Sequence, residues 1–510
     1  MPFGAVAGMA RSRPYAGRAS RVVHSLKIMS PLSVVLTVAA YIAVLFVVAA
    51  LSGRRAGNAG FFTGNRRTPW YMAAFAMIGA AMSGVTFISV PGSVATDAFS
   101  YIQMVLGFTV GQLIVAFVLV PLFYRTKVVS LYQYLDDRFG FASHRAGAWC
   151  FFISKMLGAA LRIYVVCAVM QLLVFDACGV PFWTNAAATM LLVWLYTRRG
   201  GVKSLIWTDS LKTLCLVASL VLTIVFLVRA SGLSWAETVR QVADSPRSRV
   251  FFFDDPASGR YFWKMFLAGI VLLVAMTGLG QDMMQRNLSC RSPRDAQKNI
   301  VLTAVCQFFV IVLFLVLGVL LYAHADRSGL PLPAKSDQLF SMVATNGGLP
   351  LAVGVVFVVG LVASTYSAAG SALTALTTSF TFDLLDGAGC DDARLSRLRR
   401  RVHAAMAAGM AGVILLFEAF GNDSVINLVY KVAGYTYGPI LGMFLFGMAT
   451  RRRVHDRWVP AAVIAAPLLS AALQAAARRY WNYEIGFELL VYNALFTIAG
   501  LFILVKRHAK

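Results

Sequence analysis

The chain has 510 residues, of which 59% are hydrophobic and 13% are charged, and its mean hydropathy is +0.71. This composition excludes a soluble protein, because too few polar residues remain to cover the surface of a chain of this length. The net charge of +24 does not indicate nucleic-acid binding, since the basic residues form short clusters between apolar stretches. Such clusters are typical of the loops of a membrane protein.

The first 28 residues precede the first apolar stretch and contain basic but no acidic residues. They lack the apolar core of a signal peptide, and their composition is not typical of a folded domain. Met29 stands directly before the first apolar stretch. We therefore interpret residues 1–28 as a basic tail whose start is mis-assigned, with Met29 as the true first residue.

The rest of the chain consists of apolar stretches long enough to cross about 30 Å of hydrocarbon. They lack the alternation of strands, so they predict helices. We predict an all-α polytopic membrane protein with about thirteen transmembrane helices, at residues 32–51, 69–94, 102–124, 147–175, 182–198, 204–229, 262–283, 299–323, 350–382, 402–420, 424–449, 457–477 and 486–505.

The basic clusters predict how the chain is oriented. They fall in every second connection, at residues 54–67, 125–145, 198–203, 286–298, 394–401, 451–457 and 506–510. The opposite connections carry few basic residues, most of them in the long loop at 230–261. By the positive-inside rule we expect the N-terminus outside and the C-terminus in the cytoplasm, in the plasma (inner) membrane of the cell.

The number of helices is consistent with an internal repeat. Helices two to six and seven to eleven make two sets of five, and an odd number of crossings inverts the second set relative to the first. We therefore divide the chain into a peripheral first helix at 32–51, a first repeat at 69–229, a second repeat at 262–449 and two C-terminal helices at 457–505.

The second predicted helix contains residues that favour a break inside the membrane. Glycines at positions 79, 84 and 92, with Pro91, allow the helix to unwind there. An unwound turn frees backbone carbonyls, which suit a hard cation such as Na⁺. Alternatively, these glycines only allow neighbouring helices to approach closely.

Several stretches, in this order and spacing, resemble the sodium:solute symporter family. They lie at residues 79–92, 130–140, 200–209, 280–286, 371–383 and 434–439. The resemblance implies the leucine-transporter fold, a solute site at the membrane midplane, and a Na⁺ ion between the first and eighth core helices. No cofactor is expected besides this coupling ion.

The resemblance also implies particular ion ligands. These are the carbonyls of Gly79 and Met82 on one helix, and the carbonyl of Ser364 and the hydroxyl of Ser367 on the other. As an alternative role, the serine hydroxyls could hydrogen-bond carbonyls of their own helix.

The sequence departs from the family pattern at two positions near these ligands. Ala368 stands where the family usually has a second hydroxyl, and Gly370 stands where a further polar group is common. Ser371 remains as a candidate ligand, and Asp209 matches the acid that the family has near the ion path.

Lys212 occupies a position where the family commonly has glutamine. It lies three residues after Asp209, so both can share a helix face and form a pair. An ionisable residue at this depth indicates a function, here in ion or proton coupling. The alternative is a self-neutralising pair that lines the cytoplasmic vestibule.

Arg162 is the residue most informative about the solute, because it lies near the middle of the fourth predicted helix. An arginine there is costly unless it faces a cavity and a partner, and its planar guanidinium suits a carboxylate. In family members that carry sialic acid, an arginine on this helix holds the carboxylate. We expect Ser83, Thr86 and Gln103 to form the opposite polar wall. Alternatively, Arg162 pairs with Asp209.

Together these features predict secondary active import of a small organic anion, such as a sugar acid or a monocarboxylate, by Na⁺ symport. A proton-coupled or sodium-independent transporter of the same fold is an alternative. A membrane solute sensor is another, although the chain ends at Lys510 soon after its last helix. An enzyme is not expected, because no catalytic motif is present and the six histidines lie near helix ends, where we expect them to be solvated.

Overall fold

The helices that build this protein are described here from a computed structural model. It describes residues 31–506 except 55, 127–128, 172–174, 334, 421–424, 484 and 487. The tail at residues 1–28, with its prediction of a mis-assigned start, lies outside the described residues. Throughout the described part the chain is helical, and its only β-type pairings are two isolated bridges. The all-α prediction is confirmed.

The helices are numbered in chain order. They are α1 Pro31–Ser52, α2 Gly57–Thr63, α3 Trp70–Ala81, α4 Gly84–Asp97, α5 Tyr101–Thr126, α6 Gln133–Arg138, α7 Phe141–Met170, α8 Phe182–Gly200, α9 Val202–Ser231, α10 Trp235–Ala243, α11 Phe262–Gly278, α12 Gln281–Leu288, α13 Pro293–Ser328, α14 Leu339–Asn346, α15 Leu351–Leu384, α16 Asp392–Phe420, α17 Val425–Ala449, α18 Val459–Trp481 and α19 Leu489–Ile503.

Eight of the described helices are long and apolar enough to cross a membrane, or up to ten if each of two bent pairs counts as one span. Helices α8, α17 and α19 stand where the remaining three predicted spans were placed. The multi-pass membrane character is therefore clear, while the count of thirteen spans stays a prediction, as does the division into two repeats.

The two bent pairs occupy equivalent places in the two predicted sets of five helices. Helix α3 meets α4 at 59°, and α11 meets α12 at 65°. Each break is the first element of its set, which is the arrangement that an inverted repeat requires. Both breaks lie inside the protein, where the surrounding helices can satisfy an irregular backbone.

The first break follows from the residues at positions 82 and 83. Both adopt extended backbone angles, and Ser83 starts α4 with a capping box in which Ser83 and Thr86 satisfy each other's backbone amides. Pro91 and Gly92 lie within the helical part of α4. The break is therefore narrower than the predicted unwound region, and Pro91 does not cause it.

The prediction that the histidines are solvated is wrong for two of them. His144 is buried near the start of α7, and its ring lies 3.0 Å from Asp383 at the end of α15. His403 is buried in α16 between the hydroxyls of Thr197 and Thr377, at 2.9 and 2.8 Å. Both rings therefore connect helices. His24 and His508 lie outside the described residues.

For the site description, the side of the membrane that carries residues 232–261 is called the loop face, and the opposite side, where the basic clusters lie, is called the basic face. We expect a cysteine at Ala257 to react with an impermeant thiol reagent only from outside the cell, and one at Arg394 only from inside. Both positions are exposed. The measurement needs a background without the seven native cysteines. Reversed labelling would contradict the positive-inside assignment.

Candidate functional site

A cavity of about 550 Å³ lies where the two broken helices meet α5, α7, α13 and α17. It reaches the loop face at Ser258, Gly259 and Arg260, and its inner wall includes the α3–α4 break at residues 80–83. A cavity of this size between helices suits one small organic solute. We refer to it as the central cavity.

The charged side chains of the central cavity leave it positive. Three basic residues, Lys155, Arg162 and Arg260, and two acidic residues, Asp97 and Asp282, line it. Lys155 is bound to Asp282, with Nζ 2.6 Å from Oδ2. Since one acid then remains for two bases, the cavity keeps an excess of one positive charge, which favours an anion over a cation or a neutral solute.

Arg162 lines the central cavity from α7, as the sequence predicts. It is only partly buried, and within the described part of the chain it has no acidic partner and donates no hydrogen bond in the structure. The alternative of a pair between Arg162 and Asp209 is wrong, because Asp209 is bound to Arg286. The guanidinium of Arg162 is thus left to face the cavity.

Two of the three residues predicted for the polar wall lie in the central cavity. Ser83 and Thr86 line it, and their hydroxyl oxygens are 3.3 Å apart. Gln103 does not line it: its side chain is fully buried and donates to the carbonyl of Arg260 while accepting from the amide of Phe252. Gln103 therefore fixes the loop before α11, and its predicted contact with solute is not supported by its position.

The break between α3 and α4 redirects the amides that would normally bind two of the predicted ion ligands. In a continuous helix the amide of Ser83 would donate to Gly79, and that of Thr86 to Met82. Instead the Ser83 amide meets the Thr86 hydroxyl at 3.4 Å, and the Thr86 amide meets the Ser83 hydroxyl at 3.3 Å. The carbonyls of Gly79 and Met82 are thereby released from their helical partners.

The break lies directly against α15, where the other predicted ion ligands are. A Cβ atom added to Gly84 would stand 3.1 Å from the hydroxyl of Ser364, and one added to Gly79 would stand 2.8 Å from the carbonyl of Asp209. Both glycines are thus needed for close approach, as the packing alternative proposed. The Gly84 contact places the first residue of α4 beside Ser364 of α15, whereas the Gly79 contact is with α9, so close packing does not exclude ion binding next to Ser364.

Asp209 is the centre of a buried group of polar side chains, which we call the Asp209 cluster: Asp209, Arg286, Ser367 and Ser371. Nε and Nη2 of Arg286 donate to Oδ2 of Asp209 over 2.9 and 2.5 Å, and Arg286 also contacts the Ser371 hydroxyl. The Ser367 hydroxyl donates to the other carboxylate oxygen. Asp209 is fully buried and Arg286 is 2% exposed. This guanidinium already neutralises the acid, so Asp209 and Ser371 are not open ion ligands here.

Sequence reasoning missed Arg286, which it placed among the basic residues of a cytoplasmic connection. The structure places it instead on α12, the short helix after the second break, and 77 positions from its partner Asp209. The signal was present in the sequence, because residues 280–286 are one of the stretches that carry the family resemblance. What the sequence did not give is the 65° bend that turns this segment back into the protein.

Lys212 is fully buried on α9 and has no hydrogen-bond partner for Nζ among the described residues. The predicted pair between Asp209 and Lys212 is wrong, since Asp209 is held by Arg286. The charged groups that act on Lys212 electrostatically are Asp209, Arg286 and Arg162. A buried amine without a partner is costly, which marks Lys212 as a functional candidate.

Helix α12 lines the central cavity through Asp282 and Met283. Asp282 and Arg286 lie one helical turn apart on it; Asp282 binds Lys155 of α7, and Arg286 binds Asp209 of α9. Nη1 of Arg286 also donates to the carbonyl of Asp282, over 2.6 Å. We call these two ion pairs, which join α12 to α7 and α9, the cavity floor.

Comparison with known proteins gives a consistent result. The family model described as "Sodium:solute symporter family" matches residues 61–456. The human sodium/iodide cotransporter is 24% identical over 79% of this chain and 63% of its own length. Human sodium-coupled monocarboxylate transporter 1 is 26% identical over 76% and 64%. The chain therefore spans less than two thirds of these curated relatives.

Among solved structures, the chain resembles a Na⁺-coupled sialic acid symporter in a substrate-bound outward-open state. The TM-score is 0.80 at 17% sequence identity, over 93% of this chain and 98% of that one. A likeness of this extent confirms the predicted fold.

Proposed function

The chain belongs to the sodium:solute symporter family, and from this premise we propose that it imports a small organic anion by Na⁺ symport. The solute class is that of sugar acids or monocarboxylates. We further propose that the chain lies in the plasma (inner) membrane with its N-terminus outside and its C-terminus in the cytoplasm, so that the loop face is external.

The observation that carries the proposal is the guanidinium of Arg162, which has no ion-pair partner in the described part of the chain and lines a cavity with an excess positive charge. Its planar fork can hold a carboxylate by two parallel hydrogen bonds. Ser83 and Thr86 lie on the α4 wall of the same cavity and supply hydroxyl groups for the polar part of a solute. The names of the relatives support this class, since they include transporters of monocarboxylates and a symporter of sialic acid.

We propose that Na⁺ is held by the released carbonyls of Gly79 and Met82 with the carbonyl of Ser364 and the hydroxyl of Ser367. These are hard oxygen donors, which suit Na⁺. The Ser367 hydroxyl donates its hydrogen bond to Asp209, so the lone pairs of its oxygen stay available to an ion. Asp209 and Ser371 already accept hydrogen bonds from Arg286, so they are not available as ligands for a second Na⁺. We therefore propose that one Na⁺ is carried per transport cycle.

The test is uptake into proteoliposomes that contain the purified chain. The solute panel consists of a sugar acid, a monocarboxylate, an amino acid and a neutral sugar, each with and without an inward Na⁺ gradient. We expect only the carboxylates without an amino group to accumulate, and only with the gradient. Preferred uptake of the neutral sugar would contradict the anion assignment, and gradient-independent accumulation would contradict Na⁺ coupling.

We propose that Lys212 influences coupling by lowering the affinity of the ion site for Na⁺, because it is a buried amine without a hydrogen-bond partner among the described residues, on the helix that packs against both α3 and α15. For Na⁺ symport we expect uptake to follow a Na⁺ gradient and not a pH gradient, in wild type and in Lys212→Gln alike. The glutamine removes a positive charge near the ion site, so a lower Na⁺ concentration should give half-maximal uptake.

The opposite result would favour the proton-coupled alternative. It consists of uptake driven by a pH gradient in wild type and lost in Lys212→Gln. Ser210→Ala is a suitable control, since its hydroxyl on the same helix only donates to the carbonyl of Ile206 at 2.8 Å.

A further inference from the structure

A second cavity, of about 620 Å³, lies at the basic face, away from the central cavity. It is enclosed by the end of α1, by α2, by the last turn of α8 and by the first half of α16. Its lining includes four arginines, Arg198 and Arg199 of α8 and Arg399 and Arg400 of α16. We call it the arginine cavity. It has no part in the proposed transport site.

The arginine cavity carries a large excess of positive charge. No acidic residue lines it, and none of its four arginines forms an ion pair with a described residue. The C-terminal ends of α1 and α8 each contribute roughly half a negative charge. Asp392 lies near, bound to the side chain of Asn58. Even with Asp392 counted, about two positive charges remain without compensation.

Two residues that line the arginine cavity each carry a buried donor that has no partner among the described residues. Arg399 is 9% exposed, its guanidinium lies 4.6 Å from the centre of the Phe61 ring, and Nη1 donates to the carbonyl of Gly57 at 3.1 Å. Its Nε has no hydrogen-bond partner in the described chain, and neither does the indole Nε1 of Trp194. A buried donor without an acceptor is rare in folded proteins and indicates a missing ligand.

Three of the four guanidinium groups are also held in place. Arg399 is fixed by Phe61 and Gly57, Arg198 lies 5.1 Å from the centre of the Trp194 ring, and Nε of Arg400 donates to the carbonyl of Ser396 at 3.3 Å. Ordered guanidiniums lose less conformational entropy when they bind an anion. Several arginines around one cavity match the oxygens of a phosphate group better than the two oxygens of a carboxylate.

We propose that the arginine cavity binds a phosphate group at the basic face of the membrane. The two possible sources are the headgroup of an anionic phospholipid and a soluble phosphate. The site joins α8 to α16, and α16 is tied to α15 through His403 and Thr377. An anion bound there therefore stabilises the packing of these helices around the core.

The test measures binding to the purified full chain in a neutral detergent, by thermal stability and by native mass spectrometry. One arm adds phosphatidylglycerol, a second adds inorganic phosphate, and a third adds phosphatidylcholine as the neutral lipid. We expect phosphatidylglycerol, inorganic phosphate or both to raise the unfolding temperature, and phosphatidylcholine to leave it unchanged. A response to phosphatidylglycerol alone identifies the lipid as the source, and a response to both identifies the phosphate group itself.

Variants decide whether the binding occurs in the arginine cavity. Arg399→Gln should raise the dissociation constant at least ten-fold, and Arg198→Gln, at an exposed position less prone to misfolding, should raise it several-fold. Arg451→Gln removes an exposed arginine of the basic face that does not line the cavity, and should bind like wild type. An equal loss in all three variants, an unchanged constant in Arg399→Gln and Arg198→Gln, or no response of wild type to either phosphate source would overturn the proposal.

Discussion

Replacement of Arg162 by alanine should abolish concentrative uptake of the anionic solute, with a fall of roughly 100-fold in uptake efficiency. The estimate follows from the loss of two charge-assisted hydrogen bonds, each worth about 1.5 kcal/mol or more. Arg162→Lys keeps the charge but not the planar fork, so we expect it to recover only a small part of the activity. The measurement is initial uptake in proteoliposomes as a function of solute concentration.

Arg260→Gln is the matched control for this result, because Arg260 also lines the central cavity but lies at its loop-face mouth, where Nη1 donates to the carbonyl of Thr96. We expect this variant to lose much less than Arg162→Ala. Normal uptake by Arg162→Ala, or an equal loss in both variants, would show that Arg162 does not hold the carboxylate. Thermal unfolding of each variant distinguishes loss of binding from loss of fold.

The second large effect is expected at the Asp209 cluster. Arg286→Met leaves the fully buried Asp209 without its cation, and removal of one partner from a buried ion pair costs about 3–5 kcal/mol. We expect a strongly lowered unfolding temperature and little folded protein in the membrane. In the double variant Asp209→Asn with Arg286→Met neither member of the ion pair is left as an unpaired charge, so most of the stability should return.

Lys155→Met is a useful comparison, because it breaks the other ion pair of the floor, whose lysine is 12% exposed and whose acid is 4% exposed. We expect a smaller loss of stability than for Arg286→Met, since water can reach the remaining charge more easily. If Arg286→Met proved as stable as wild type, Arg286 would not be the cation that neutralises Asp209. If the double variant stayed as unstable as Arg286→Met, the loss would come from packing and not from charge.

The parts of the site that depend on one helix at a time could be predicted from the sequence. Position along the helix was enough to place Arg162 in the central cavity, and the sequence around Gly79 and Ser83 was enough to locate the first break. The same sequence suggested that Pro91 takes part in the break, which is wrong, because Pro91 lies inside α4, eight residues after Ser83, and the helix continues past it to Asp97.

The parts of the site that depend on contacts between distant helices could not be predicted. Spacing alone suggested that Lys212 pairs with Asp209, because neighbours three positions apart on a helix can meet. The carboxylate is instead held by Arg286, which only the second break brings near. The prediction that Gln103 contacts the solute failed for a similar reason. Its partners, Phe252 and Arg260, lie in a loop, and the pattern of apolar residues that predicts helices does not predict the path of a loop.

The two ion pairs of the cavity floor have a consequence for the proposed transport cycle. Lys155 and Asp209 stand on α7 and α9, in the first set of five helices, whereas both of their partners stand on α12, in the second set. The floor thus joins the two predicted sets of helices through a helix of only eight residues. Movement of α12 away from α7 or α9 therefore requires the charged groups of an ion pair to separate, although only Lys155 and Asp282 among these four residues line the central cavity.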